Sequence, residues 1–337
     1  MMKTAKKVRP EDFLYASARS RKLETRLSGR EGSYRLCDAR DAEEVRRGIS
    51  EYAQSFGVAA ELPPDEALDA ILGQTYRDIA EMSGASGNEK AFDVFRYPYD
   101  CHNIKYALKC FIRGRTLENT LAGMYDFATV SPLAVYEAIQ SEDYSALPKH
   151  MAKAAETSRA EYSRLRDPKL IDLALDRALY ADMLELAGES GVDAFAEAVR
   201  LKIDLTNILT ALRILRMNAG GRLLNDVLID GGTLKTERFA EFSSEEELWE
   251  SLRKTEFRSI RDACSDDLSF DSVERAADDY YLSLFSKTKY LAYGPEVPAA
   301  YLSFVEYEAK NLRIIYAGKN GGVDSRELRR RLRAWWQ

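Results

Sequence analysis

Histidine, cysteine and proline are scarce in this chain of 337 residues, which holds two, four and nine of them. His102 and His150 are the only histidines, so the usual histidine-based catalytic constellations have little to work with. The cysteines Cys37, Cys101, Cys110 and Cys264 are scattered and form no C-x-x-C pair. No signal peptide precedes them: residues 1–9 are basic, and no apolar run follows. Reduced cytosolic thiols are the expectation. Long apolar runs are missing too. The uncharged stretch 127–136 falls short of the roughly 18 residues that a spanning helix needs, so any membrane association is expected to be peripheral. Finally, the net charge of −6 is spread over intermixed acids and bases, against the concentrated basic field of a general nucleic-acid binder.

What is present reads as helix. Ala, Leu, Glu and Arg dominate, and strand signals are nearly absent. Residues 11–27 read as a helix ended by Gly29 and Gly32, and 38–56 as a second closed by Gly57. Pro63-Pro64 opens a third through Leu68, Ile71, Leu72, Tyr76 and Ile79, an amphipathic spacing. Breaks fall at 83–88, Ser131-Pro132, Asp167-Pro168, Gly220-Gly221 and Gly294-Pro295, while 192–217 holds no breaker. Many helices joined by short loops predict an all-α fold.

The strongest internal signal is repetition. Tyr99-Asp100-Cys-His-Asn103-Ile104, Ile203-Asp204-Leu-Thr-Asn207-Ile208 and Tyr307-Glu308-Ala-Lys-Asn311-Leu312 align without gaps. Successive asparagines stand 104 residues apart, 103 to 207 and 207 to 311. A glycine follows each helix, at Gly114, Gly220 and Gly318, and Gly114-Arg-Thr-Leu resembles Gly221-Arg-Leu-Leu. These observations predict three similar helical domains from a tandem triplication, over residues 1–114, 115–220 and 221–337. Acid and Asn lie three residues apart on one helix face, beside an apolar stripe. A partly buried Asn there must bond a neighbouring backbone, since an unpaired buried amide costs about 1–3 kcal/mol. Asp100, Asn103, Asp204, Asn207, Glu308 and Asn311 are therefore the candidate motif residues, read as clamps within the fold rather than ligand sites.

A search for chemistry finds none. A metal site at Cys101, His102 and Cys110 is disfavoured, because adjacent helical residues point about 100° apart. Gly84-Ala-Ser-Gly-Asn-Glu-Lys90 and the loop at Gly318 lack the spacing of a phosphate loop. Asp278-Asp279-Tyr-Tyr281 has the look of an aspartate-rich metal motif of a helical synthase, but the third aspartate is missing; an exposed helix with neighbouring tyrosines is the expectation. The C-terminal arginines, Arg326, Arg329, Arg330, Arg331 and Arg333, precede Trp335 and Trp336. They read as a solvated last helical turn favoured by the helix dipole, or as a docking surface for an acidic partner or lipid headgroups. The nineteen tyrosines are read as half-buried packing residues, some of them at interfaces. No catalytic residue, cofactor, metal or small-molecule substrate is expected.

Taken together, these features resemble the C subunit of bacterial and archaeal V-type (A-type) rotary ATPases, a family related to the eukaryotic d subunit. The resemblance spans essentially the whole chain. It rests on Tyr15-Ala-Ser-Ala-Arg19-Ser-Arg21, the three acid-x-x-Asn helices, Asp176-Arg-Ala-Leu-Tyr180, Pro298-Ala-Ala-Tyr301-Leu and Glu306-Tyr-Glu308-x-x-Asn311-Leu-Arg313. Residues 223–268 fit the family pattern less well. The resemblance implies three domains around a pseudo-threefold axis, forming a funnel. It also implies a non-catalytic role between the soluble central stalk and the membrane proteolipid ring, at the cytoplasmic face of the membrane, transmitting torque. A helical-repeat scaffold for other partners is the alternative, although 104 residues exceeds the roughly 34–47 of common helical repeats.

Overall fold

Several helices begin where a side chain supplies an acceptor for their first, otherwise unbonded N–H groups. Asp41 accepts from the Glu44 amide, Ser131 from Ala134, and Asp324 from Arg326 and Glu327. Prolines at the first helical position, Pro64 and Pro132, add a preset φ. The computed structural model describes residues 8–217, 224, 226–264 and 267–336, and none of these lies in a strand.

Among the described residues the α-helices include, in chain order, α1 (Leu14–Leu23), α2 (Gly29–Cys37), α3 (Ala42–Ser55), α4 (Pro64–Gly84), α5 (Tyr97–Ile112) and α6 (Leu117–Leu121). Next come α7 (Pro132–Ser141), α8 (Lys149–Leu165), α9 (Lys169–Ser190), α10 (Asp193–Arg216) and α11 (Thr236–Ala240). The last are α12 (Glu245–Leu252), α13 (Arg258–Ala263), α14 (Phe270–Ser286), α15 (Glu296–Asn320) and α16 (Ser325–Arg331).

Three local expectations need correction. Residues 11–27 are not one helix: 3-10 turns at Pro10–Phe13 and Glu24–Arg26 flank α1. The Thr25 hydroxyl bonds the Lys22 carbonyl, a local competitor to continued helix, and Leu27 is extended. Gly29 and Gly32 do not end a helix but lie in the first turn of α2, and the next helix starts only at Ala42, behind the Asp41 cap. Gly318 lies inside α15 rather than in a turn. A Cβ there would stand 2.2 Å from the Leu328 side chain, so glycine permits the close approach of α16. The Gly220-Gly221 break, the Gly221-Arg-Leu-Leu opening and the boundary drawn there lie outside the described residues, or only partly within them.

The described chain gathers into two compact units. A middle unit spans residues 90–245, and a flanking unit combines 8–89 with 246–336. In the middle unit α9 packs on α5, α8 and α10, and α5 on α7. Ile104, Leu108, Ile203, Ile208 and Leu212 are fully buried there, each contributing about 1.5–3 kcal/mol. Phe195 meets Phe92 and Phe95 edge-on at centroid distances of 5.2 Å.

In the flanking unit α15 is the axis. It packs against α1, α2, α3, α4, α14 and α16. Its first half is therefore buried all round, from Val297 through Val305, as a helix surrounded by others must be. All four cysteines are buried. Burial pushes the Cys37 thiol up to about 11 and that of Cys101 to about 12.

Candidate functional site

The three motif copies lie in α5, α10 and α15, and all six side chains are at most 4% exposed. Buried this deeply, each must find partners inside the protein. Each asparagine does so on a single residue 22 positions further on. Asn103 donates Nδ2 to the Tyr125 carbonyl and accepts the Tyr125 amide at Oδ1, both at 2.8 Å. Asn207 treats Ile229 the same way, at 2.7 and 2.9 Å. Asn311 treats Arg333 the same way, at 3.1 and 2.8 Å. A primary amide carries donor and acceptor side by side, which is why Asn fits where Asp, lacking a donor, would not.

The acids hold a second point. Asp100 accepts from the Thr129 amide at 3.2 Å, the Thr129 hydroxyl at 2.7 Å and the Val130 amide at 2.9 Å. Asp204 accepts from the Thr233 amide at 2.8 Å, its hydroxyl at 2.6 Å and the Leu234 amide at 2.9 Å. Glu308 takes the same three kinds of donor from an unrelated stretch of chain. These are the Ser28 amide at 3.2 Å, the Ser28 hydroxyl at 2.9 Å and the Gly29 amide at 2.7 Å. The Tyr52 hydroxyl also donates to Glu308.

The electrostatics are those of buried carboxyls. Burial pushes Asp100 up to about 6, and the donors at Val130 and Thr129 pull it only part of the way back. Burial likewise raises Glu308, against its bonds from Tyr52, Gly29 and Ser28. The Tyr52 phenol is driven far above its ordinary value by burial and by the adjoining Glu308.

Asp278-Asp279 departs from the exposed helix expected. Asp278 and Tyr281 are each 8% exposed. Asp278 accepts from Tyr307 at 3.0 Å, Lys310 at 2.6 Å and Arg333 at 2.9 Å. Asp279 takes the Ala334 amide at 2.6 Å and pairs with Arg275. The two aspartates thus fasten the chain end to α14.

The solvated reading of the arginine tail holds for the exposed Arg326, Arg330 and Arg331, the last two in the final turn of α16, but not for Arg329 and Arg333. Arg333 is buried on Asp278, and Arg329 pairs with Asp38 and lies over the Tyr34 ring. Trp335 donates to Ser33 at 3.0 Å, and Trp336 packs on Phe304. His102 sits 3.2 Å from the Gly123 carbonyl, while Cys101 donates to Leu175. Among the described residues no three His, Cys, Asp or Glu side chains converge as a metal-binding set.

Sequence reasoning missed the donors. Thr129 and Thr233 each stand 29 residues after their acid, a recurrence that was there to be read. Ser28, Gly29 and Tyr52 carried no such signal, because they lie 256–280 residues from Glu308.

A helical protein in which three helices, α5, α10 and α15, each hold chain through a buried acid and asparagine is matched by a known family. The family model described as ATP synthase (C/AC39) subunit covers residues 16–331, and the chain belongs to that family. Its relatives include the C subunit of the A-type ATP synthase of Methanosarcina mazei, 26% identical over 97% of this chain and 94% of the relative. The C subunit of the V-type sodium ATPase of Enterococcus hirae is 24% identical over 80% and 83%. The C subunit of the V-type ATP synthase of Deinococcus radiodurans is 23% identical over 98% and 94%. Among the described residues no helix is long and apolar enough to cross a membrane.

Proposed function

We propose that this chain is a non-catalytic coupling subunit of a V/A-type rotary ATPase, joining the soluble central stalk to the membrane proteolipid ring and transmitting torque between them. The observation that carries the reading is the family match over residues 16–331, together with relatives named as the C subunit of such enzymes. The clasps support it. Asp100, Asn103, Asp204, Asn207, Glu308 and Asn311 spend their polar atoms on backbone groups and hydroxyls of the chain itself, as a part that carries load requires. On this reading the chain consists of three helical repeats, 1–114, 115–220 and 221–337. It sits at the cytoplasmic face of the membrane as a peripheral component, and it needs no cofactor.

The test is purification of the intact complex from membranes through a tag on this chain. Stalk and ring proteins should co-purify, and membranes lacking the chain should lose ATP-driven ion transport. Recovery of the chain only as a free monomer, with transport intact in its absence, would refute the reading.

A further inference from the structure

The three clasps share their asparagine half, but the acid half of the third is built differently. In the first two, the bonded stretches are continuous chain: Tyr125 to Thr129-Val130, and Ile229 to Thr233-Leu234. In the third, Asn311 holds Arg333, while Glu308 holds Ser28 and Gly29, 279–280 residues away. The donors are the same three groups: a hydroxyl-bearing residue's N–H, its hydroxyl, and the next residue's N–H. Their setting is similar, at or just before the start of a helix. Val130 and Leu234 stand two residues before α7 and α11, and Gly29 is the first residue of α2.

We infer that the stretch 24–29 is a strap that completes the third clasp, with Ser28 and Gly29 on Glu308 standing where Thr129–Val130 and Thr233–Leu234 stand on the two aspartates. The third clasp thereby fastens an early segment of the chain to its last long helix, α15. Closure over so long a stretch costs more chain entropy than closure over 29–30 residues. The third clasp answers with a longer acid and a fourth donor, Tyr52. Neighbouring contacts run in the same direction: Ser325 donates to the Cys37 carbonyl at 2.6 Å, and Trp335 to Ser33. The inference does not depend on the coupling role and stands or falls on its own experiment.

That experiment is amide hydrogen exchange on the full chain, read by mass spectrometry at three donor stretches: 24–31, 125–131 and 229–235. Glu308→Gln keeps the shape but replaces one acceptor oxygen with a donor. It should speed exchange at 24–31 by about tenfold or more and leave the other two stretches unchanged. Asp100→Asn should do the reverse, speeding 125–131 alone. Tyr52→Phe removes a single hydroxyl and should give a smaller rise, again confined to 24–31. No rise at 24–31 in Tyr52→Phe or Glu308→Gln overturns the inference. Equal acceleration of all three stretches by Glu308→Gln overturns it too, since that is general loosening rather than release of a strap.

Discussion

At the scale of single residues, the amide of Asn207 stands for both peptide groups that Ile229 has lost to burial. Ile229 is 5% exposed, so water cannot take over when the side chain is cut back. Asn207→Ala should destabilise the middle unit by about 2–6 kcal/mol, because two buried polar groups are stranded at about 1–3 kcal/mol each. Denaturant titration would read this directly. Protons give a second prediction. Burial holds Asp100, Asp182, Asp279 and Glu308 above the ordinary carboxylate range. A carboxyl whose folded pKa is raised favours the fold below its unfolded value, about 4, and that contribution is lost as pH climbs through the folded value, about 6 for Asp100. From these groups, stability should decline between about pH 4 and 6, and Asp100→Asn should flatten that slope in denaturant titrations run across the range. The six motif positions were legible because they recur at a fixed interval. Their backbone partners were not, since a carbonyl or amide leaves no mark on residue type. The burial of Asp278 was equally hidden, because nothing local announces that Arg333 folds back onto it.

At the scale of elements, glycine decides how closely α10 and the loop beneath it approach. A Cβ at Gly232 would stand 2.2 Å from Asp204 Oδ1, inside any allowed contact. Gly232→Ala should push the carboxylate off its three donors, costing about 2–4 kcal/mol and exposing the Thr233 and Leu234 amides to exchange, while Thr129 and Val130 stay protected. Equal loss at both pairs would count against this local mechanism. The starts of α4, α7 and α10 were easy to read, because Pro64, Ser131-Pro132 and the unbroken run of α10 act within one turn of themselves. The α1–α2 region was harder. Its break, with Ser28 and Gly29, serves a carboxylate on α15, and that constraint exists only once the chain has folded.

At the scale of the whole molecule, the two compact units and the 104-residue period divide the chain differently. The middle unit holds two complete clasps, built from continuous chain. The flanking unit holds the third, built from both of its segments. Period and helicity could be read from sequence because they are local or regular; the joining of distant segments could not.

The sealed cysteines give this architecture a set of slow timers. A thiol reagent attacks thiolate, and Cys37 and Cys101 are both out of contact with solvent and far from ionising at neutral pH. Alkylation or oxidation must therefore wait for the surrounding helices to part. Cys101 and Cys110 time such openings in the middle unit, Cys37 and Cys264 in the flanking one. A chain with every thiol so housed should keep those thiols unoxidised through oxidative stress for as long as it stays folded.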